Sequence, residues 1–202
     1  VPHTPELGGW QFLGTFSAND SNEAFNKDFG PEKGVDLKKE YGGKKWEARN
    51  YEDGKVHTIG LPEKSASYFY RTLKSLNAQK VGVSLGSDDG IKLFLNGKPI
   101  LANNANRGPA ADQEKTELEL AKGDNPLLNK IVNTGGQGGM YFKLGGSSLP
   151  KEVLANLGQD VLSAEHVAKL REYYEKSVWP LAKQLDEKVK AAEKAANDYN
   201  NG

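Results

Sequence analysis

Gly86-Ser87-Asp88-Asp89-Gly90-Ile91-Lys92-Leu93-Phe94-Leu95-Asn96-Gly97-Lys98, near the middle of a chain of 202 residues, reads as one strand held between two turns. Asp88-Asp89-Gly90 has tight-turn chemistry, and Asn96-Gly97 carries the positive-φ preference of a two-residue hairpin loop. Working outward, further short apolar runs are bounded by Gly, Asn, Asp and Pro, the pattern of strands joined by turns. They are residues 9–14, 67–73, 80–85, 115–120, 127–132 and 140–144. Val81, Val83 and Leu85 alternate with small or polar residues, and Leu118 and Leu120 alternate with charges. Such strands have one wet face, which points to antiparallel sheet rather than a doubly wound parallel one. Trp10, Phe12, Tyr70, Val83, Leu85, Leu93, Leu128 and Ile131 are expected in one core between two packed sheets.

Two irregular stretches interrupt the strands. Residues 17–45 contain a helical candidate from Ser21 to Phe29, and residues 99–114 read as a polar loop without apolar periodicity. The Gly-rich run Gly135 to Gly139 reads as a flexible hairpin between the Ile131 and Tyr141 strands. Composition changes near Leu149-Pro150: of 23 glycines, 21 precede that point, and the remainder of the chain is rich in Ala, Lys, Glu and Leu. The expected organisation is therefore a β-domain over residues 1–148 and a helical extension over 149–202. In the extension, Pro150 opens a short helix ending near Gly158. Ser163 caps a longer one with Glu165 in its first turn, interrupted at Pro180. Its apolar stripe, from Val167 through Tyr174 and Val189 to Ala196, needs cover from the β-domain or from another copy.

Charge and composition exclude several function classes. Lys+Arg 27 against Asp+Glu 27 leaves no net charge, so nothing in the balance offers the basic face that phosphate backbones require, and nucleic acid is not an expected partner. The absence of Cys excludes thiolate nucleophiles, zinc knuckles, iron-sulfur clusters and covalent c-type haem attachment. No stretch reaches the ~20 apolar residues of a membrane span, and Val1-Pro2-His3-Thr4 does not open a signal peptide.

Catalytic constellations are not expected either. His3, His57 and His166 stand apart from any metal-helix or triad spacing, Ser147-Ser148 lacks the nucleophile elbow, and the Gly tract lacks the Lys-Ser/Thr of a phosphate loop. Asp88-Asp89 has two readings. Both carboxylates accept hydrogen bonds from turn amides and hold a corner between strands, or they form a Ca²⁺ corner whose ion in turn chelates sugar hydroxyls. On the long polar loop, Asn103, Asn104, Asn106, Arg107, Asp112 and Gln113 are groups that pair with hydroxyls in two-point contacts. Trp46 and Tyr51 are candidates for stacking on sugar faces, whereas Trp10 belongs in the core.

The Ser87-to-Lys98 run resembles the "SDDG…lNGk" hairpin of galactose-binding-like jelly rolls and related PA14-type modules. The resemblance extends through Tyr68-Phe69-Tyr70-Arg71-Thr72 before it and residues 123–133 after it. With Phe25 to Glu32, and with Leu149-Pro150 and Leu170-Arg171-Glu172-Tyr173-Tyr174, the chain is similar to a β-sandwich module of large planctomycete surface or periplasmic proteins that also carry cytochrome-c-like domains. The resemblance implies a mainly β fold, an antiparallel jelly-roll β-sandwich with a C-terminal α-helical extension. It also implies a periplasmic or extracellular location, other domains of a larger parent chain as neighbours, and a glycan or polysaccharide as ligand. Asp88 and Asp89 fall where calcium-dependent PA14-type lectins place two neighbouring aspartates, which makes Ca²⁺ the expected cofactor. Asn129 stands where that family's strand has an apolar residue. The function expected is non-catalytic carbohydrate binding, the alternative being a structural spacer or protein-interaction domain without a small-molecule ligand.

Overall fold

The alternation along the strands sorts the residues into layers. In a computed structural model describing residues 4–145, 164–175 and 187–190, Val81, Val83 and Leu85 are buried while their neighbours Lys80 and Gly82 face solvent. They lie on β6 (Gln79–Asp88), which pairs with β9 (Glu114–Leu120) and β11 (Gly139–Leu144). With β4 (Val56–Thr58) these form a four-stranded sheet of order β4-β11-β6-β9. The larger sheet has seven strands, with β3 (Glu47–Arg49), β2 (Trp10–Ser17), β5 (Ser65–Ser75), β10 (Gly123–Asn133), β7 (Gly90–Leu95) and β8 (Lys98–Asn103) in that order. Its seventh strand, β1 (Glu6–Leu7), also pairs with β5. All these pairings are antiparallel.

Between the sheets lies one apolar core. Trp10, Phe69, Leu73, Ile91, Leu93, Leu127 and Ile131 come from the larger sheet and meet Val83, Leu85, Leu118, Met140 and Phe142 from the smaller. Two residues expected there are elsewhere. Tyr70 and Leu128 are cross-strand neighbours whose side chains face the opposite side of the larger sheet, where they join Leu13, Phe16, Tyr41, Tyr68 and Phe94. Strand parity is the reason: with Leu127 and Ile131 pointing inward, Leu128 must point outward.

That outer face is not left to water. Helix α1 (Ser21–Asn26), capped by the Asp20 carboxylate on the Glu23 amide, and the irregular chain up to Trp46 lie across it. The helix ends three residues earlier than the sequence suggests. Consequently β5 and β10 are buried on both faces, and β10 buries the charged residue Lys130 completely. Its ammonium donates to the carbonyls of Phe25 (3.0 Å) and Lys27 (2.6 Å) and to Glu32 Oε1 (2.7 Å). Tyr68 Oη donates to the same carboxylate oxygen at 2.8 Å and accepts from the Phe29 amide at 3.2 Å. Desolvation pulls the Lys130 pKa below the usual lysine range, and burial beside Glu32 drives the Tyr68 phenol far above its own, so the phenol stays neutral.

Two connections differ from their sequence reading. Residues 99–103, expected in the polar loop, belong to edge strand β8, closed onto β7 by the Asn96-Gly97 turn with both residues at positive φ (52° and 74°). Gly135 to Gly139 is not a hairpin, because β10 and β11 belong to different sheets; the tract carries the chain from one sheet to the other.

The chain divides into two units, residues 3–148 and residues 149–202 together with the first two. In the second, helix α2 (Ala164–Tyr173) has Glu165 in its first turn and Arg171 in its last. Val167, Tyr174 and Val189 of the expected stripe are exposed. The helix expected to open at Pro150, the Ser163 cap and the interruption at Pro180 lie outside the described residues.

Replacing Lys130 by Met leaves two carbonyls unpaired beneath the covering segment and strips the Glu32 carboxylate of its counter-charge, with Tyr68 its remaining donor. Urea denaturation should show a loss of about 3–5 kcal/mol, and Lys130→Met/Glu32→Gln together should cost less than the sum of the two single changes. Additive single changes would mean that the pair does not act as a unit.

Candidate functional site

Four connections cross from one sheet to the other at the same end of the sandwich, residues 59–64 between β4 and β5 among them, and three share a corner: Asp88-Asp89 between β6 and β7, residues 104–113 between β8 and β9, and residues 134–138 between β10 and β11. The pairings Gly139↔Asp88, Gly90↔Val132, Ile91↔Asn103 and Leu85↔Glu114 bring them together.

Asp89 joins all three. The residue is 3% exposed, and its backbone amide donates to the Val132 carbonyl at 2.7 Å. One carboxylate oxygen accepts from the Arg107 amide at 2.7 Å, and the other from the Thr134 amide at 2.7 Å and the Gly135 amide at 3.4 Å. This is the turn-acceptor reading of the aspartate pair, carried by one residue of the two. Asp88, joined to Asp89 by a cis peptide bond, is half-buried, and its carboxylate accepts no hydrogen bond from the described residues. Desolvation, and then the Asp89 charge, hold its pKa above the ordinary aspartate value.

Around this corner the loop side chains form a network. Arg107 lies against Glu114 at 2.9 Å and donates to Ser87 Oγ at 3.1 Å, while Ser87 Oγ donates to the Asp89 carbonyl. Asn103 Nδ2 donates to the same Glu114 oxygen at 2.6 Å. Gln113 accepts from the Ser87 amide through Oε1 and donates to the Gly108 carbonyl through Nε2. Asn104 reaches across to Asn22 of α1 at 2.9 Å. Asp112 turns away: it accepts from Ser84 Oγ at 2.6 Å and faces Lys115, contacts that hold its pKa low. Asp88, Asp89, Asn103, Arg107 and Gln113 therefore share one corner, with Asn104 at its margin and Asp112 on the face of the smaller sheet.

Ser87, Glu114 and Thr134 complete the network without any signal in the sequence. Each acts through an atom that only the crossing geometry brings near. Trp46 and Tyr51 are committed elsewhere, Trp46 edge-on to Tyr41 and Tyr70, and Tyr51 against Phe69 and His57.

For a hard cation the corner offers the Asp88 carboxylate and the lone pairs that the Asp89 amide bonds leave over. Ca²⁺ takes 6–8 oxygens, and no group of three or more His, Asp or Glu residues among the described residues is placed to hold a metal. Two carboxylates fall short of that number, so a calcium ion held here would need its remaining oxygens from loop amides, water or a ligand.

No family model matches the chain, and no curated protein matches it in sequence. Among solved structures it is similar to a β-glucosidase from Kluyveromyces marxianus in complex with glucose, at 13% identity and a TM-score of 0.39 over 74% of this chain. It is also similar to a PA14 sugar-binding domain from an RTX adhesin (23% identity, TM-score 0.33, 42% of this chain) and to the PA14 domain of the MpAFP antifreeze protein (14%, 0.40, 72%). The chain spans 18% of the β-glucosidase, 49% of the adhesin domain and 87% of the antifreeze domain. No helix among the described residues is long and apolar enough to cross a membrane.

The two aspartates should respond differently to amidation. Asp89→Asn turns an NH₂ group toward buried amide donors and should lose about 3 kcal/mol in chemical denaturation. Asp88 binds its proton more tightly folded than unfolded, so it lowers stability at neutral pH and ceases to as pH falls below the ordinary carboxylate range. Asp88→Asn should therefore match or exceed the wild-type melting temperature at pH 7, with the difference vanishing in acid. Gly86→Ala tests the loop seat. A Cβ there runs into the Ala110 carbonyl, so the change should lift residues 104–113 and cost about 1–3 kcal/mol.

Proposed function

We propose that the crossing end of the sandwich binds carbohydrate without transforming it, in an exported protein, with Asp88 and Asp89 holding Ca²⁺. The observation that carries this reading is the Asp88 carboxylate, half-buried, unpaired among the described residues and raised in pKa. A partly desolvated carboxylate without a protein donor is free to take a ligand group in place of the water that reaches it. Beside it, the 104–113 loop exposes Asn104 and Asn106, and backbone of the Gly tract is accessible at Gly136. Planar amides and peptide groups suit hydroxyls, which both donate and accept. A calcium ion, when bound, supplies coordination for vicinal hydroxyls. Asp89, tied to Arg107, Thr134 and Gly135, keeps the three loops in fixed relation so that the site is formed before the ligand arrives.

A rim this wet exchanges water hydrogen bonds for ligand ones at small net gain. The affinity expected is about 10 μM to 1 mM, roughly −4 to −7 kcal/mol. The test combines melting curves with and without millimolar Ca²⁺ and a glycan array under the same two conditions. Calcium should raise the wild-type melting temperature, because a ligand of the native state alone stabilises it, and the array should show calcium-dependent signals. Both should vanish in Asp88→Asn while the fold persists. A melting temperature indifferent to calcium would remove the metal, and a blank array in addition would favour a spacer or interaction domain.

A further inference from the structure

At the far end of β7 from the aspartate corner, a cavity of about 420 Å³ opens between residues 31–35 and the Asn96-Gly97 turn. Its walls are apolar: Phe94 and Leu128 form the floor on the outer face of the larger sheet, with Pro31, Val35 and Pro126 around them. Into this setting the chain places a carboxylate only 11% exposed, that of Glu32. Its Oε1 is taken by Lys130 and Tyr68, while Oε2 has no partner among the described residues. Asn96 donates its Nδ2 to Asn125 and leaves Oδ1 unpaired among the described residues; Lys33 at the rim has no ion-pair partner among them.

We infer that this cavity is a second small-molecule site, and that it takes a neutral pyranose unit. Charge selects against the alternatives. A cation gains little from Glu32, whose charge Lys130 already matches at 2.7 Å, and an anion would face that carboxylate in an apolar wall. A pyranose presents an apolar C–H face to Phe94 and Leu128, and equatorial hydroxyls that donate to Glu32 Oε2 and Asn96 Oδ1 and accept from Lys33. The volume falls within the range of small-ligand pockets. Built from the cavity's own groups, this site needs neither calcium nor the aspartate corner.

The test uses the full chain, ¹⁵N-labelled and in EDTA so that a calcium-dependent site stays silent. It is titrated with methyl α-glucopyranoside, methyl α-mannopyranoside and methyl β-galactopyranoside. Saturable amide shifts are expected at Lys33, Gly34, Val35 and Gly97. Glu32→Gln would disturb the Lys130 cluster, so two milder changes serve instead. Val35→Trp, which fills the mouth, should abolish the shifts, and Lys33→Ala, at an exposed position, should weaken binding about threefold to tenfold. Unmoved amides at 31–35 and 97 with all three glycosides, or shifts that survive Val35→Trp, overturn the inference. Shifts confined to Asp89, Gly90 and Thr134 once calcium is restored would overturn it while leaving the proposed function standing. Shifts at Gly34 and Gly97 alone, with or without calcium, would support it and count against the aspartate corner.

Discussion

The carboxylate of Asp89 is where three separate sheet-to-sheet crossings meet, and the arrangement of that end of the sandwich depends on it. Loops between sheets are normally free to vary, since no ladder partner fixes them. Here one buried acceptor takes amides from residues 107, 134 and 135, and its own amide closes onto Val132. Charge-assisted bonds of this kind in a dry corner are worth more than surface ones, and here they tie the loops through the chain's own amides. Arg107, bound through its backbone, then turns its guanidinium to Glu114 and Ser87, so the side-chain network depends on the same anchor.

A comparable dependence organises the other face. The larger sheet would expose Tyr68, Leu128 and Phe94 if the segment from α1 to Trp46 were not laid over them. That segment has little regular structure of its own, and its attachment runs through the Lys130 ammonium, which collects the free carbonyls of residues 25 and 27 and the Glu32 carboxylate. The sandwich is thus covered by a layer two of whose backbone carbonyls are satisfied by a lysine rather than by a strand.

Much of this was legible in the sequence, and the features that were not share one cause. The alternation of Val81, Val83 and Leu85 and the Asn96-Gly97 turn declare antiparallel strands because period and turn chemistry are local. Sheet membership is not local: nothing in Gly135 to Gly139 says that the strands on either side join different sheets. Strand β8 was hidden because Pro99 and the adjacent apolar pair Ile100-Leu101 break its alternation, and a register shift at Leu93/Phe94 accommodates the irregularity. Leu127 and Leu128 are equally apolar, and only their pairing partners decide which faces the core. The aspartates are the sharpest case. Adjacent and chemically identical, they differ at the corner: one accepts amides from two loops, and the other accepts no hydrogen bond from the described residues. Asn129, apolar in the resembling family, lies buried between Phe69 and Leu93 with neither amide atom paired to a described residue, a departure the strand tolerates without changing register.

The four outer strands of the sheets have a consequence for how the molecule behaves among copies of itself. A sandwich leaves two edges per sheet, and an open edge is a template for the backbone of any neighbour. Here β3 and β4 are only three residues long, β8 carries Pro99 and an irregular register, and β9 places Lys115, Glu117 and Glu119 along its exposed side. Each device spoils backbone pairing in a different way. Crowded copies, or sandwiches strung in series, can therefore lie flank to flank without zipping into a continuous sheet.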